Sequence, residues 1–272
     1  MNLKICSILQ LKNEHRNGNL IRCLENCKRW SDEICILDDA STDGSQEIYL
    51  NYTDKDHIIL KKQSNFGMEM FYKKELLDLA RKFNPTFIGW IDGDTILSRQ
   101  WTNSCKDMLE PLMSTLVDGV YLHNLNLWRS PCYYRTDLSY DGLWHMVFWR
   151  VSNNLRYAPR PGLHQQPFPL GIYAPIKASY EDCLIHYGFA NKEAIIEKYL
   201  RYKGHGQKGW GLDRLIDEQT SFVLQKVPKD WYPEENIPED YDTCDMPQPI
   251  DYGQYRKYNN YEEFLADQQK GI

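Results

Sequence analysis

A chain of 272 residues with 42% hydrophobic and 26% charged residues is long enough for one large globular domain, or for a domain with an appendage. Its net charge of −6 excludes general affinity for nucleic acid. No stretch approaches the roughly 18 apolar residues of a membrane span, and no secretory leader precedes the first strand-like run. A cytoplasmic protein is expected, with room left for peripheral membrane contact. The eight cysteines are scattered, and Cys6, Cys35 and Cys183 lie inside apolar runs. Cys23 and Cys27 fall one helical turn apart, but no second pair completes a zinc site, so the cysteines read as reduced thiols.

Residues 4–11 form a short apolar run suited to a buried first strand, ending in Lys12-Asn13-Glu14. Leu20, Ile21, Leu24 and Cys27 recur at helical spacing and predict a helix over 18–29. The second strand, 33–37, runs into Asp38-Asp39-Ala40-Ser41-Thr42-Asp43-Gly44-Ser45, a segment rich in capping and turn residues. A helix through Ile48 and Leu50 follows, then a strand over 57–60, a loop over 64–67 and an amphipathic helix over 70–83. The strand over 86–91 ends abruptly in Asp92-Gly93-Asp94.

Strands thus alternate with helices four times, the signature of a doubly wound, mainly parallel sheet. The strand ends of such a sheet share one edge, where ligands bind. Asp92 and Asp94 are either a solvated Asp-Gly turn or a cation site, with Gly93 letting a ligand approach the backbone. Hard cations such as Mg2+ or Mn2+ take oxygen ligands and share them with substrate phosphates. Convergence of three polar strand ends in one crevice favours the cation. Lys73 and Lys74 either add positive charge there or sit on a solvated helix face.

Beyond residue 97 the rhythm changes. A helix is expected over 101–113, then antiparallel strands over 120–122, 125–128 and 146–149. Four prolines bracket a loop holding His164, and 184–187 is a short apolar run with one histidine, His186. A helix over 192–203 leads to the glycine-dense loop 204–211, a candidate lid. Residues 228–249 read as an irregular surface arm, followed by a short helix over 260–269. The expected architecture is α/β: residues 1–110 a βαβ half, 111–227 the second half of the same domain, and 228–272 a helical or irregular C-terminal extension.

The run Ile36-Leu37-Asp38-Asp39-Ala40-Ser41-Thr42-Asp43-Gly44-Ser45, with D-x-D at a later strand end and Lys12-Asn13-Glu14 at the first, resembles family 2 glycosyltransferases of the GT-A fold. The likeness covers about the first 100 residues, while 111–180 does not map onto it. It implies a Rossmann-like, mainly parallel mixed sheet and a metal-dependent, inverting transfer of a sugar from a nucleotide-diphosphate donor, a UDP-sugar first. The implied acceptor is a hydroxyl of a glycan, a lipid-linked sugar or a protein. Asp39 is implied to read the base, Glu14 to frame the nucleoside, and Asp92 to reach the ribose or a metal-bound water. Asp94 is implied to hold Mn2+ or Mg2+ against the diphosphate, and Lys73 to support nucleotide binding. A carboxylate base is needed for inversion, and Asp141, Asp137 and Asp182 are the candidates, Asp141 first because Gly142 and Trp144 flank it. Trp128, Trp144 and Trp149 are candidates for stacking on a sugar. His186 is either a buried histidine bonded to a carbonyl or, as in some GT-A enzymes, a third metal ligand. Two rival readings are a sugar-nucleotide nucleotidyltransferase, which lacks its glycine-rich phosphate loop here, and an inactive glycan-binding protein of the same fold.

Overall fold

The computed structural model describes residues 2–137, 140, 142–158, 168–219 and 222–270, with Phe66 and Trp210 described by backbone alone. Strand β1 (Ile5–Leu11) leads into α1 (Leu20–Trp30), β2 (Glu33–Asp38) and the short α2 (Ser45–Tyr49). Next come β3 (Ile58–Leu60), α3 (Glu69–Arg81) and β4 (Phe87–Trp90), followed by β5 (Thr95–Leu97) and α4 (Arg99–Leu109). The strands β6 (Gly119–Asn126), β7 (Tyr133–Arg135), β8 (Trp144–Arg150), β9 (Pro175–Lys177) and β10 (Cys183–His186) fill the middle. α5 (Lys192–Gly204), the single turn α6 (Trp210–Asp213), β11 (Leu224–Lys226) and α7 (Tyr261–Lys270) close the chain.

Two compact units emerge. The first comprises Met1–Asn124, Trp144–Ile185 and Asp230–Asn236; the second comprises Leu125–Leu143, His186–Lys229 and Ile237–Ile272. Nine described strands form one mixed sheet in the order β3-β2-β1-β4-β8-β6-β10-β5, with β9 also paired to β6. β1 lies parallel between β2 and β4, whereas β8 runs antiparallel to β4 and to β6.

Alternation along the strands decides which helix covers which face. In β1, Ile5, Leu9 and Leu11 join α1 and α4 in one core, while Cys6 and Ile8 face α3 in another. β2 divides the same way, Ile34 and Ile36 against Cys35 and Leu37. Trp30 is fully enclosed and meets Phe148 edge to face at 5.4 Å between ring centroids. Truncating so large a side chain costs about 3–5 kcal/mol. Gly89 lets the two rings close over β4, since a Cβ there would sit 2.9 Å from both.

The second unit is built around a buried carboxylate. Glu218 accepts hydrogen bonds from Trp128 Nε1, Arg129 Nε and Nη2, the Ile250 amide and the Tyr252 hydroxyl, at 2.6–3.2 Å. A fully buried charge persists only when paired and bonded in this way.

Several sequence expectations are corrected. The two strands expected over 120–122 and 125–128 are one, β6, because His123 and Asn124 are buried rather than turned out to solvent. The first helix starts at Leu20, since Gly18 has φ +71° and breaks the earlier turn. Helix 101–113 is α4 plus a 3-10 turn over Glu110–Ser114 that carries Pro111. The C-terminal stretch is not a mere surface arm: Tyr232, Tyr252 and Tyr258 are buried, and Arg99 Nε donates to the Tyr232 carbonyl at 2.7 Å. His164 lies outside the described residues. No helix among the described residues is long and apolar enough to cross a membrane.

Candidate active site

Because β2, β1 and β4 are adjacent and parallel, their C-terminal ends lie side by side and the loops that leave them interlock. The Asp39 amide donates to the Leu11 carbonyl at 2.9 Å, and the Asn13 amide to Ser41 Oγ at 2.9 Å. The Thr42 amide returns a bond to Asn13 Oδ1 at 2.8 Å. Asn13 and Ala40 hold φ values of 57° and 58°, a strain that clusters at ligand sites when the surroundings enforce it. Gly93 has the side chains of Glu14 and Leu11 packed directly on its Cα. The first and fourth strand ends therefore meet without a gap.

The two aspartates of the second strand end do different work. Asp38 is fully buried and accepts from the Ser41 amide at 2.9 Å, Gln46 Nε2 at 2.7 Å and the Tyr49 hydroxyl at 2.8 Å. It holds the loop in shape. Asp43 does the same at the far end, accepting from the Arg16 amide and from Ser45. Burial raises the pKa of Asp43, but the Ser45 hydroxyl and these amides outweigh it and leave the group below its ordinary value.

Asp39, 3% exposed, is instead gripped from the β3–α3 connection. Ser64 Oγ donates to its carboxylate at 2.8 Å and the Asn65 amide at 3.1 Å. Ser64 accepts in turn from Lys12 Nζ at 2.6 Å, which places a cation one hydroxyl away from Asp39. Tyr72 lies close by, its phenol pushed up to about 12 by burial and by the Asp39 carboxylate. Ser64, Asn65 and Tyr72 are not singled out by the sequence, where the signal for them is a polar pair, Ser64-Asn65, soon after a third parallel strand; Lys12 stands in the polar first strand end but has no role of its own there.

Asp92 is exposed, and Trp90 Nε1 donates to its Oδ1 at 3.0 Å. Asp94 is half-buried. Both Glu14 and Asp94 bear on the buried Cys23 thiol, which is raised first by its hydrogen bond with Cys27 and by burial, then by these acids. Glu14 and the Asp92-Gly93-Asp94 turn thus lie together at the C-terminal ends of β1 and β4, beside the end of β2 that carries Asp39. Two carboxylates separated by one glycine, both offering oxygen donors, have the chemistry to hold a hard divalent cation that keeps positions open for other oxygen ligands.

Lys73 is not on a solvated face. It is 2% exposed, paired with Glu69, and its Nζ lies 5.2 Å from the Trp90 ring centroid. Its charge backs the indole that bonds Asp92. Lys74 does lie on the exposed face, bonded to Asp78 at 2.6 Å.

Other candidates are dispersed. Asp137 is clasped by Arg135 through two hydrogen bonds of 2.7 and 2.8 Å and also accepts from the Val223 amide, deep in the second unit. Asp182 is 6% exposed, its Oδ1 has no hydrogen-bond partner, and burial raises its pKa. Cys183 beside it bonds Ser98, four residues beyond Asp94 along β5, which is about 13 Å of extended chain. Asp141 lies outside the described residues. His186 belongs to the second unit, where Nδ1 faces Asn126 Oδ1 at 2.8 Å and Nε2 faces Lys198 Nζ at 3.4 Å. Trp128 and Trp149 are fully buried core residues rather than sugar platforms; Trp144 keeps an accessible face, with Lys177 Nζ at 4.8 Å from its ring centroid.

The sequence model of glycosyl transferase family 2 matches residues 8–153, which is 146 of the 272 residues. The chain belongs to glycosyl transferase family 2. The GT-A arrangement of that family, a mainly parallel half continued by antiparallel strands, is the sheet described above. Among solved structures, S. aureus TarS is 12% identical and covers 79% of this chain and 42% of that chain, at a TM-score of 0.44. S. aureus TarS 1–349 in complex with UDP-GlcNAc is 17% identical over 46% of this chain and 36% of that chain, at 0.35. The mannosyltransferase PcManGT from Pyrobaculum calidifontis, in complex with GDP-Man and Mn2+, is 17% identical over 55% of this chain and 45% of that chain, at 0.33. The family 2 chain described here thus spans about two fifths of the full TarS chain. No curated protein matches it in sequence.

Proposed function

We propose that this family 2 chain transfers a hexosyl group from a nucleoside-diphosphate sugar, a UDP-sugar first, to an acceptor hydroxyl with inversion at the anomeric carbon. The observation that carries the proposal is the convergence of Glu14, Asp39, Asp92 and Asp94 on one edge of β1, β2 and β4. Asp39, already oriented by Ser64 and the Asn65 amide, accepts the imide N–H of uracil. Glu14 frames the nucleoside from the first strand end, and Asp92, steadied by Trp90, reaches the ribose or a metal-bound water. Mn2+ or Mg2+, held by Asp92 and Asp94, would supply positive charge where the nucleoside diphosphate leaves. Lys73 acts from behind, keeping Trp90 in place, rather than by touching the nucleotide.

The donor is assigned to residues 1–110, the acceptor to 111–227, and 228–272 is an extension. The acceptor is a glycan, lipid-linked or protein hydroxyl, met on the cytoplasmic side. The base that takes its proton is a carboxylate, and Asp141 leads the candidates because both oxygens of Asp137 are occupied and Asp182 stands a strand length from Asp94. His186 is proposed as a third metal ligand on the chemistry of its ring: with Nδ1–H given to Asn126, Nε2 carries the lone pair, which faces Lys198 Nζ at 3.4 Å and would have to exchange that contact for the metal.

The deciding experiment incubates the purified chain with a panel of UDP- and GDP-sugars, with Mn2+ or with chelator, and follows nucleoside-diphosphate release. Metal-dependent UDP release from a UDP-sugar is expected. Release of pyrophosphate on incubation with a sugar phosphate and UTP would instead mark a nucleotidyltransferase.

A further inference from the structure

Within the second unit a group of side chains unconnected with sugar transfer converges from distant parts of the chain. Cys132 stands in the turn that leads into β7, and Asp240 and Cys244 lie in the irregular segment before α7. Their two sulfurs and a carboxylate oxygen all lie within 4.8 Å of one another. We propose that Cys132, Cys244 and Asp240 form a structural site for a borderline-soft divalent cation, Zn2+ first, which pins the C-terminal segment to the β7 turn.

Donor chemistry selects the ion. Two thiolates and one carboxylate match the ligands Zn2+ takes in tetrahedral sites, with water in the fourth position, and they do not suit Mg2+ or Ca2+. Zn–S bonds of about 2.3 Å place ligand atoms about 3.8 Å apart, so closing the group takes a shift of no more than about 1 Å. The supporting shell already exists. Ser130 Oγ accepts from the Cys132 amide at 3.0 Å and lies 3.2 Å from Cys244 Sγ, so its hydroxyl can donate to that sulfur once the thiol is deprotonated on binding the metal. The Tyr133 hydroxyl donates to the Cys244 carbonyl at 3.3 Å, and the Cys132 carbonyl accepts from the Val227 amide at 2.9 Å. A turn closed by the Thr243 amide on the Asp240 carbonyl brings Asp240 and Cys244 to the same side.

Among the described residues, the lysines near this group are engaged elsewhere. Lys229 pairs with Asp242, and Lys226 lies over the rings of Tyr133 and Tyr241. The other three-donor group among the described residues, Asp54, Asp56 and His57, differs in kind: both imidazole nitrogens are bonded to carboxylates and the ring is stacked on Phe83. A metal clamp also answers a physical need, because residues 237–250 have turns but no helix or strand to hold them.

The test uses the full chain, stripped of metal under reducing conditions and titrated with Co2+, whose thiolate charge-transfer absorption reports cysteine ligation only. One equivalent giving that absorption, displaced by Zn2+, is expected for the wild type and for Asp94→Ala. Cys244→Ser should lose the absorption and any rise in Tm with Zn2+, while Asp240→Asn should weaken Zn2+ affinity about tenfold or more. Cys244 and Asp240 are at least partly exposed, so these variants fold even if Cys132→Ser does not. Absence of thiolate–cobalt absorption in the wild type, its persistence in Cys244→Ser, or a Cys132–Cys244 disulfide in the purified protein overturns the proposal. None of these outcomes depends on the glycosyltransferase reading.

Discussion

Glu14 Cγ occupies the place of a side chain on Gly93: a Cβ built there would lie 2.6 Å from it and 2.6 Å from Leu11 Cδ2. The glycine of the D-x-D turn is thus required by the first strand end as much as by any ligand. Gly93→Ala should force Glu14 and Leu11 apart, destabilise the chain by about 1–3 kcal/mol and abolish donor binding. Urea denaturation and UDP titration check this, and an alanine variant that binds UDP normally would refute the packing argument.

Asp39 and Ser64 form the second testable pair. Asp39→Ala should leave the fold intact and remove most UDP affinity. Ser64→Ala deletes one hydrogen bond to a charged acceptor, worth about 1.5–3 kcal/mol, so UDP affinity should fall about tenfold or more while the carboxylate remains. Calorimetry with UDP and Mn2+ reads both. Equal affinity in Ser64→Ala would show that the Asn65 amide alone orients Asp39.

Removing the metal should matter before any sugar is transferred. Glu14, Asp92 and Asp94 are acids at one sheet edge, and an anionic diphosphate brought beside them is repelled unless a cation intervenes. UDP binding measured in chelator should be lost and should return with Mn2+. Undiminished binding in chelator would count against the assignment of Asp92 and Asp94.

Asp137 should behave as a structural residue. Asp137→Ala leaves Arg135, fully buried and flanked by Trp128 and Tyr140, without its counter-charge. A loss of about 3–5 kcal/mol in unfolding free energy is expected. A variant of unchanged stability but lost turnover would move Asp137 into the reaction.

Asp182 should behave in the opposite sense. Burial raises its pKa in the folded chain, so the folded state binds this proton more tightly than the unfolded state. Its contribution to stability is therefore best at low pH and is lost as pH rises through the unfolded value of about 3.9 towards the raised folded value. Asp182→Asn removes the charge, and should be more stable than wild type at pH 7 and nearly equal to it near pH 3. Denaturation at both pH values decides, and a less stable variant at neutral pH would contradict the burial argument.

Much of the sheet edge could be read directly from the residues. A buried parallel strand must be an apolar run, and polar residues that end it must stand at the sheet's C-terminal edge. Residues 4–11, 33–37 and 86–91 therefore located Glu14, Asp39 and the D-x-D acids before any coordinates. Local pattern also placed α1, α3 and α5 to within a few residues. Whatever depended on partners far apart in sequence was hidden. Asp38 and Asp39 are identical neighbours on paper, yet one is enclosed by Tyr49 and Gln46 and the other is held by Ser64, 25 residues on. Lys73 carries the residue type of a solvated helix face and is buried against Trp90 instead. Trp128 and Trp149 have the composition of a sugar platform and the position of core. Cys132 and Cys244 are separated by more than a hundred positions and become neighbours only through packing. Strand ends and helix faces follow from local periodicity, whereas the burial and partners of a charge are properties of the surrounding fold, and only the tertiary structure decides them.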